Sequence, residues 1–239
     1  MQKGLSSPRL LIVQTGSTQL HGDYPRWFER TLGFEMPVMR AHEGEQLGSA
    51  LDRARPRGII VTGSPLSVTE RAPWMLELGE DLLRAGARGT PVLGVCFGHQ
   101  LLARAAGGDV VENPRGREIG TVRVQLTEAG RRDVLFAWAS AAEIEVQATH
   151  VDAVDPPPPG ATVLASNENS AAQAYRLSEM VAGVQFHPEL WGAAMRDLIA
   201  SRREKLSAEG LDADALASQV REVEASAVLR AFAEQAKQS

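Results

Sequence analysis

PVLGVCFGHQ, residues Pro91 to Gln100, holds the change of texture that decides how this chain folds. An apolar run, residues 91–95, leads without a break into Cys96, and a helical pattern over residues 98–106 follows. A short apolar run of this kind reads as a strand buried on both faces. A strand that bends sharply into a helix forms an elbow, and the residue at the bend points out of the carboxyl edge of a sheet. Gly94 and Gly98 remove side chains where neighbouring backbone must come close. At a helix N-terminus the Cys96 sulfur meets the positive end of the dipole, which favours the nucleophilic thiolate. The same turn offers free backbone N–H groups to an oxyanion. A cysteine in an ordinary buried strand accounts for Val92, Leu93 and Val95. It does not account for glycines on both sides followed by His99 and Gln100.

Outward from this segment the same texture repeats. Residues 9–14 (RLLIVQ), 36–40 (MPVMR) and 58–61 (GIIV) read as strands, and residues 24–32, 47–54 and 73–87 as helices. Pro56 stops the second helix, and Pro73 suits the first turn of the third. Apolar strands alternating with helices predict a mostly parallel central sheet with helices on both faces, an α/β fold. After Gly107-Gly108 the candidates are shorter: 110–111, 121–126, 144–147, 162–165, 171–177 and 181–186. With little helix between them, they predict an antiparallel or mixed addition to the sheet. Four prolines at 156–159 read as a stiff surface loop. From Trp191 the pattern is helical, over 193–206 and then, after Gly210, as one amphipathic helix over 213–237. The expected organisation is a catalytic domain over residues 1–190 and a helical C-terminal extension over residues 191–239 packed on it.

Composition bounds the function. The 239 residues are 44% apolar and 23% charged, enough to bury a sizeable core. A formal net charge of -5 argues against a general nucleic-acid binder. The single cysteine rules out an intrachain disulfide framework and a CxxC metal site. Residues 1–8 carry no secretory pattern, and no run approaches the roughly 18 apolar residues of a membrane span. A cytoplasmic setting without membrane or nucleic-acid partners is expected.

The second informative stretch is VQFHPE, residues 184–189. If a strand delivers His187, then Glu189, two residues on, faces the same way. The carboxylate can then bond one ring nitrogen while the other faces a thiol, as nucleophilic catalysis requires. Pro188 keeps His187 out of the helical region.

Taken together, GVCFGHQ (94–100) and GVQFHPE (183–189) resemble the nucleophile and His-Glu motifs of class I glutamine amidotransferases. TGSP (62–65) is similar to their oxyanion loop. REIG (117–120) and THVD (149–152) resemble further pieces in the order of the GMP-synthase-type glutaminase. The resemblance runs from about residue 10 to residue 189, with its two long motifs about ninety residues apart. It implies a flavodoxin-like fold, with Cys96 as nucleophile, His187 as general base and acid, and Glu189 as its orienter. The implied oxyanion hole is the backbone N–H of Phe97 with that of Ser64 in the Gly63-Ser64-Pro65 loop. Gln100 would hold the amino-acid end of the substrate, with Glu118 and Gly120 nearby and His150 shaping the pocket. The loop departs from the family's frequent Gly-Gly-Pro, and a serine there leaves it less free to flip.

The implied reaction is hydrolysis of the γ-amide of glutamine through a γ-glutamyl thioester, with no metal and no organic cofactor. His21, His42 and His99 lack ligand spacing. Members of the family usually pass ammonia to a synthetase, and only about fifty residues follow Glu189. A free-standing glutaminase subunit serving a separate synthetase is therefore expected. The alternatives are a γ-glutamyl peptide hydrolase acting on glutathione-like substrates, which free-standing relatives with a similar GSP loop resemble, and a non-catalytic interaction protein on the same fold.

Overall fold

Short apolar strands and amphipathic helices alternate through the first half of the chain, as their spacing predicts. The computed structural model describes residues 9–238; the reading that residues 1–8 carry no secretory pattern lies outside them. The strands are β1 (Leu10–Gln14), β2 (Val38–Arg40), β3 (Gly58–Val61), β4 (Val92–Val95), β5 (Val110–Glu112), β6 (Glu118–Leu126), β7 (Glu143–His150), β8 (Asp152–Val154), β9 (Thr162–Ser166), β10 (Ala174–Ser178) and β11 (Val181–Val184). The helices are α1 (Tyr24–Leu32), α2 (Leu47–Ala54), α3 (Pro73–Ala87), α4 (Phe97–Ala105), α5 (Glu128–Arg132), α6 (Gly192–Ser201), α7 (Arg203–Ala208), α8 (Ala213–Gln219) and α9 (Ala227–Gln238). Among the described residues, nine strands form one sheet in the order β2-β1-β3-β4-β11-β10-β9-β6-β7. β2, β1, β3, β4 and β11 run parallel, and the remaining neighbours pair antiparallel. No helix among these residues is long and apolar enough to cross a membrane.

Alternation along each strand builds two apolar layers. Leu10, Ile12, Leu93 and Val95 meet Phe28 of α1 and Val228, Leu229 and Phe232 of α9 on one face. Leu11, Val13, Ile59 and Val61 meet Leu47 of α2, Leu82 of α3 and Leu101 of α4 on the other. Each fully buried side chain of this size contributes about 1.5–3 kcal/mol, so α9 is part of the core. Gly94 and Gly183 stand side by side on β4 and β11. A Cβ on Gly94 would lie 2.4 Å from the Gly98 carbonyl oxygen, and one on Gly183 would lie 2.8 Å from His99 Nδ1. The first turn of α4 can rest on the sheet because both positions are bare.

Three readings are corrected. The expected single helix over 213–237 is two helices, α8 and α9, joined by extended chain. Its backbone is held from outside: Gln147 Nε2 donates to the Arg221 carbonyl (2.7 Å), and the Arg221 N–H donates to Thr121 Oγ1 (2.9 Å). Tertiary hydrogen bonds here override helical periodicity. The helix over 193–206 breaks at Arg202, where φ is -107° and ψ 13°. Finally, β5 pairs with β8 in a separate two-stranded sheet instead of extending the main one. The four-proline segment packs its Pro158 against Gly108.

Candidate active site

Cys96 sits between β4 and α4 at φ 50° and ψ -100°, a conformation that residues with a side chain rarely adopt. The bend is tied at several points. The Cys96 N–H donates to the Val184 carbonyl (2.9 Å), the Gln100 N–H to the Cys96 carbonyl (3.0 Å), and the Gly98 N–H to the Thr62 carbonyl (3.2 Å). A Cβ on Gly98 would lie 2.6 Å from the Val61 carbonyl oxygen, so only glycine lets α4 start this close to the end of β3. The Phe97 N–H, first in the helix, has no acceptor within it.

The second motif arrives by a different route from the one its alternation suggests. β11 ends at Val184, so His187 and Glu189 are not on a strand. The chain beyond it is pinned by Gln185 N–H to the Gln173 carbonyl and His187 N–H to the Gln147 carbonyl, both 2.8 Å. The Leu190 N–H then donates to the His187 carbonyl (3.2 Å), closing a turn with Pro188 at its second position. That turn brings Glu189 Oε1 to 2.7 Å from His187 Nδ1. Cys96, His187 and Glu189 are 7%, 3% and 1% exposed.

Burial, the largest influence on the His187 ring, works against its protonation. The Glu189 carboxylate and the Cys96 sulfur outweigh it and hold the ring up to about 10, from an ordinary 6.5. His187 Nε2 has no partner of good hydrogen-bond geometry among the described residues, although Cys96 acts on the ring; such contacts are often loose before substrate binds and tighten with it. A Cβ on Gly63 would lie 3.0 Å from His187 Cε1 and 3.7 Å from Cys96 Cβ. The TGSP loop, the elbow and the His-Glu turn therefore meet at one point.

A cavity of about 400 Å³ opens there, walled in part by Ser64, Phe97, Gln100, His150, Arg202 and Lys205. Gln100 lines it, yet its Nε2 donates to the Asp152 carbonyl (2.9 Å) and Gln185 Oε1 (3.0 Å). Contact with a ligand therefore falls to its Oε1. Glu118 stands behind the wall, accepting from His150 Nε2 (2.9 Å), Gln173 Nε2 (2.6 Å) and Asn167 Nδ2 (2.6 Å). It orients His150, which also meets the Asp152 carbonyl through Nδ1 (3.0 Å). Gly120, one turn of the pleat further along β6, pairs with Ala148 and is not among the lining residues. His21 bonds Asp197, His42 bonds the Gln14 carbonyl, and His99 lies buried beneath Tyr175, so these three rings stand apart. A slightly larger cavity of about 470 Å³, between α9 and Asp133, holds no nucleophile, and its Arg176 is paired with Asp133 at 2.5 Å.

Two wall residues carry no signal in the sequence. Arg202 and Lys205 belong to a run of charges, residues 202–205, in a helical pattern that reads as an ordinary solvated face, and only the folding back of the C-terminal segment aims them at the cavity. Arg202 donates to Thr149 Oγ1 (2.5 Å), and burial pushes its guanidinium down from its ordinary value. Arg117 beside it is matched by Glu209 at 2.6 and 2.8 Å. Among the described residues Arg202 has no such ion-pair partner.

Comparison with known proteins adds the family. The sequence model described as "Glutamine amidotransferase class-I" matches residues 29–202. A GMP synthase [glutamine-hydrolyzing] of Aeropyrum pernix is 36% identical over 195 residues, covering 80% of this chain and 34% of that protein. The chain thus spans about a third of the length of that relative. A crystal structure of a glutamine amidotransferase from Thermotoga maritima superposes with a TM-score of 0.76 at 21% identity, covering 97% of this chain and 99% of the other. One from Methylobacillus flagellatus gives 0.74 at 25% identity, covering 98% and 94%.

Proposed function

The chain belongs to the class I glutamine amidotransferases, and from that premise we propose that it hydrolyses the γ-amide of glutamine through a γ-glutamyl thioester on Cys96. The observation that carries the reading is the meeting of Cys96, His187 and Glu189 at the strained elbow, with the carboxylate on Nδ1 and the sulfur acting on the same ring. The Cys96 thiolate attacks the γ-carbonyl carbon. Negative charge gathers on the carbonyl oxygen, received by the Phe97 and Ser64 N–H groups. The C–N bond breaks as His187 gives its Nε2 proton to the departing nitrogen, releasing ammonia. The neutral imidazole then takes a proton from water, whose oxygen cleaves the thioester to glutamate and restores the thiolate–imidazolium pair. Gln100 and His150 shape the acyl pocket, and Glu118 fixes His150. Ammonia passes to a synthetase site outside residues 1–239, in a cytoplasmic setting that keeps Cys96 a free thiol. Residues 191–239 act as part of the same domain, since Arg202 and Lys205 complete the cavity wall.

A second reading has its own support. A guanidinium without a carboxylate partner in a cavity wall favours an anionic ligand, and a γ-glutamyl peptide with a carboxylate on its leaving group would supply one. Both readings are tested by turnover of glutamine, γ-glutamylglycine and γ-glutamyl methylamide by wild type, Cys96→Ala and Arg202→Met. The amidotransferase reading expects glutamine turnover that Cys96→Ala abolishes. Preference for γ-glutamylglycine, lost selectively in Arg202→Met, would move the assignment to the peptide hydrolase. Equal turnover by Cys96→Ala would defeat both.

A further inference from the structure

The Gly63 carbonyl points into the molecule, toward two buried hydroxyls. Thr62 Oγ1 donates to it at 2.8 Å, and Thr15 Oγ1 reaches it at 3.1 Å. Both threonines are fully buried. Each hydroxyl is itself placed: the Thr15 N–H donates to Thr62 Oγ1 (3.2 Å), and Thr15 Oγ1 also lies 3.1 Å from the Thr62 carbonyl. In a trans peptide the N–H of the next residue points opposite to the carbonyl. With the Gly63 oxygen held inward, the Ser64 N–H is turned outward, to the cavity that Ser64 lines with Cys96 and Phe97. Ser64 adds a further tie, since its hydroxyl donates to the Thr15 carbonyl (2.9 Å) and accepts from the Leu66 N–H (3.1 Å).

We infer that Thr15 and Thr62 are positioning residues that lock the Gly63–Ser64 peptide in the orientation an oxyanion needs, so the hole stands ready without substrate or partner. A flipped peptide would remove the Gly63 oxygen that both hydroxyls share and leave them only each other (3.3 Å) and the Thr62 carbonyl (3.1 Å), a loss of buried hydrogen bonding that favours the observed orientation. The side chain that departs from Gly-Gly-Pro is, on this account, part of the lock. This inference rests on the thioester reading above and adds that full turnover belongs to the lone chain.

The test uses the isolated wild-type protein with Thr62→Val, Thr15→Val and Thr62→Ser, on glutamine or γ-glutamylglycine, whichever turns over. Alkylation of Cys96 by iodoacetamide is measured in parallel, because that displacement of iodide develops no oxyanion. Outright loss of an oxyanion donor lowers kcat by about 10²–10³, so a loosened one should lower it by about 10–100-fold. KM and the alkylation rate should stay within about threefold, and Thr62→Ser should recover most of the loss. Thr15→Val serves as the second variant should Thr62→Val not fold. Unchanged kcat in the folded valine variants overturns the lock, as does alkylation falling in step with kcat. A wild-type protein that is silent alone but active with a synthetase also overturns it while sparing the amidotransferase reading; silence under both conditions removes both.

Discussion

Glu189→Gln keeps the shape of the buried turn and removes its charge. The His187 ring is held up at about 10 by Glu189 and Cys96 against the downward pull of burial. Without the carboxylate, Cys96 alone opposes the burial, and the ring should titrate well below 10. At pH 8 a group titrating at about 10 is about 99% protonated, and one at the ordinary 6.5 about 3%, so the thiolate–imidazolium population falls by as much as about thirtyfold if the ring returns to that value. Lost orientation of the ring adds to this; the equivalent change in a Ser-His-Asp triad lowers kcat by about 10⁴. Combining the two effects, we expect kcat/KM at pH 8 to fall by at least about tenfold and by as much as about 10⁴. The alkaline limb of the pH profile should move to lower pH. The assay is glutamate release, or peptide cleavage, followed across the pH range with circular dichroism as a check on folding. A folded variant whose profile superimposes on wild type within about threefold would refute the reasoning.

Cys96→Gly and Cys96→Ala should both abolish turnover, yet glycine should be the more stable of the two by about 1 kcal/mol in urea unfolding, because it alone accepts φ 50° without strain. Gly98→Ala puts a methyl 2.6 Å from the Val61 carbonyl oxygen. Backbone cannot swing aside as a side chain does, so thermal unfolding should show a loss of about 1–3 kcal/mol, with turnover falling as α4 shifts. His99, buried and lowered to about 3 chiefly by desolvation, is protonated more readily in the unfolded chain. Its contribution is thus present above pH 6.5 and is lost as pH falls toward 3. Between pH 7 and pH 4.5, wild type should lose about 2–3 kcal/mol more than His99→Leu.

What the sequence disclosed follows from where the determining interactions lie. β1, β3, β4 and the elbow are local: continuous apolar runs, glycines at close approaches and a helix start suffice to predict them. The His187–Glu189 pair was legible as a pair, but its geometry comes from the Pro188 turn and from backbone bonds to Gln147 and Gln173, not from an extended strand. The extended chain between α8 and α9 was hidden because Thr121 and Gln147, 100 and 74 residues away in the sequence, hold Arg221. Arg202 and Thr15 escaped for the same reason. Arginine in a helix and threonine after a strand are unremarkable until folding aims one at a cavity and the other at the Gly63 carbonyl.

The account stands on covalent chemistry at one sulfur. Acid quenching during turnover, followed by peptide mass spectrometry, should find a γ-glutamyl group on the peptide that contains Cys96 and on no other. Its amount should rise in Glu189→Gln if that variant slows hydrolysis of the thioester more than its formation. Substrate consumed at full rate with no acyl group on that peptide, or with one carried elsewhere, would contradict it.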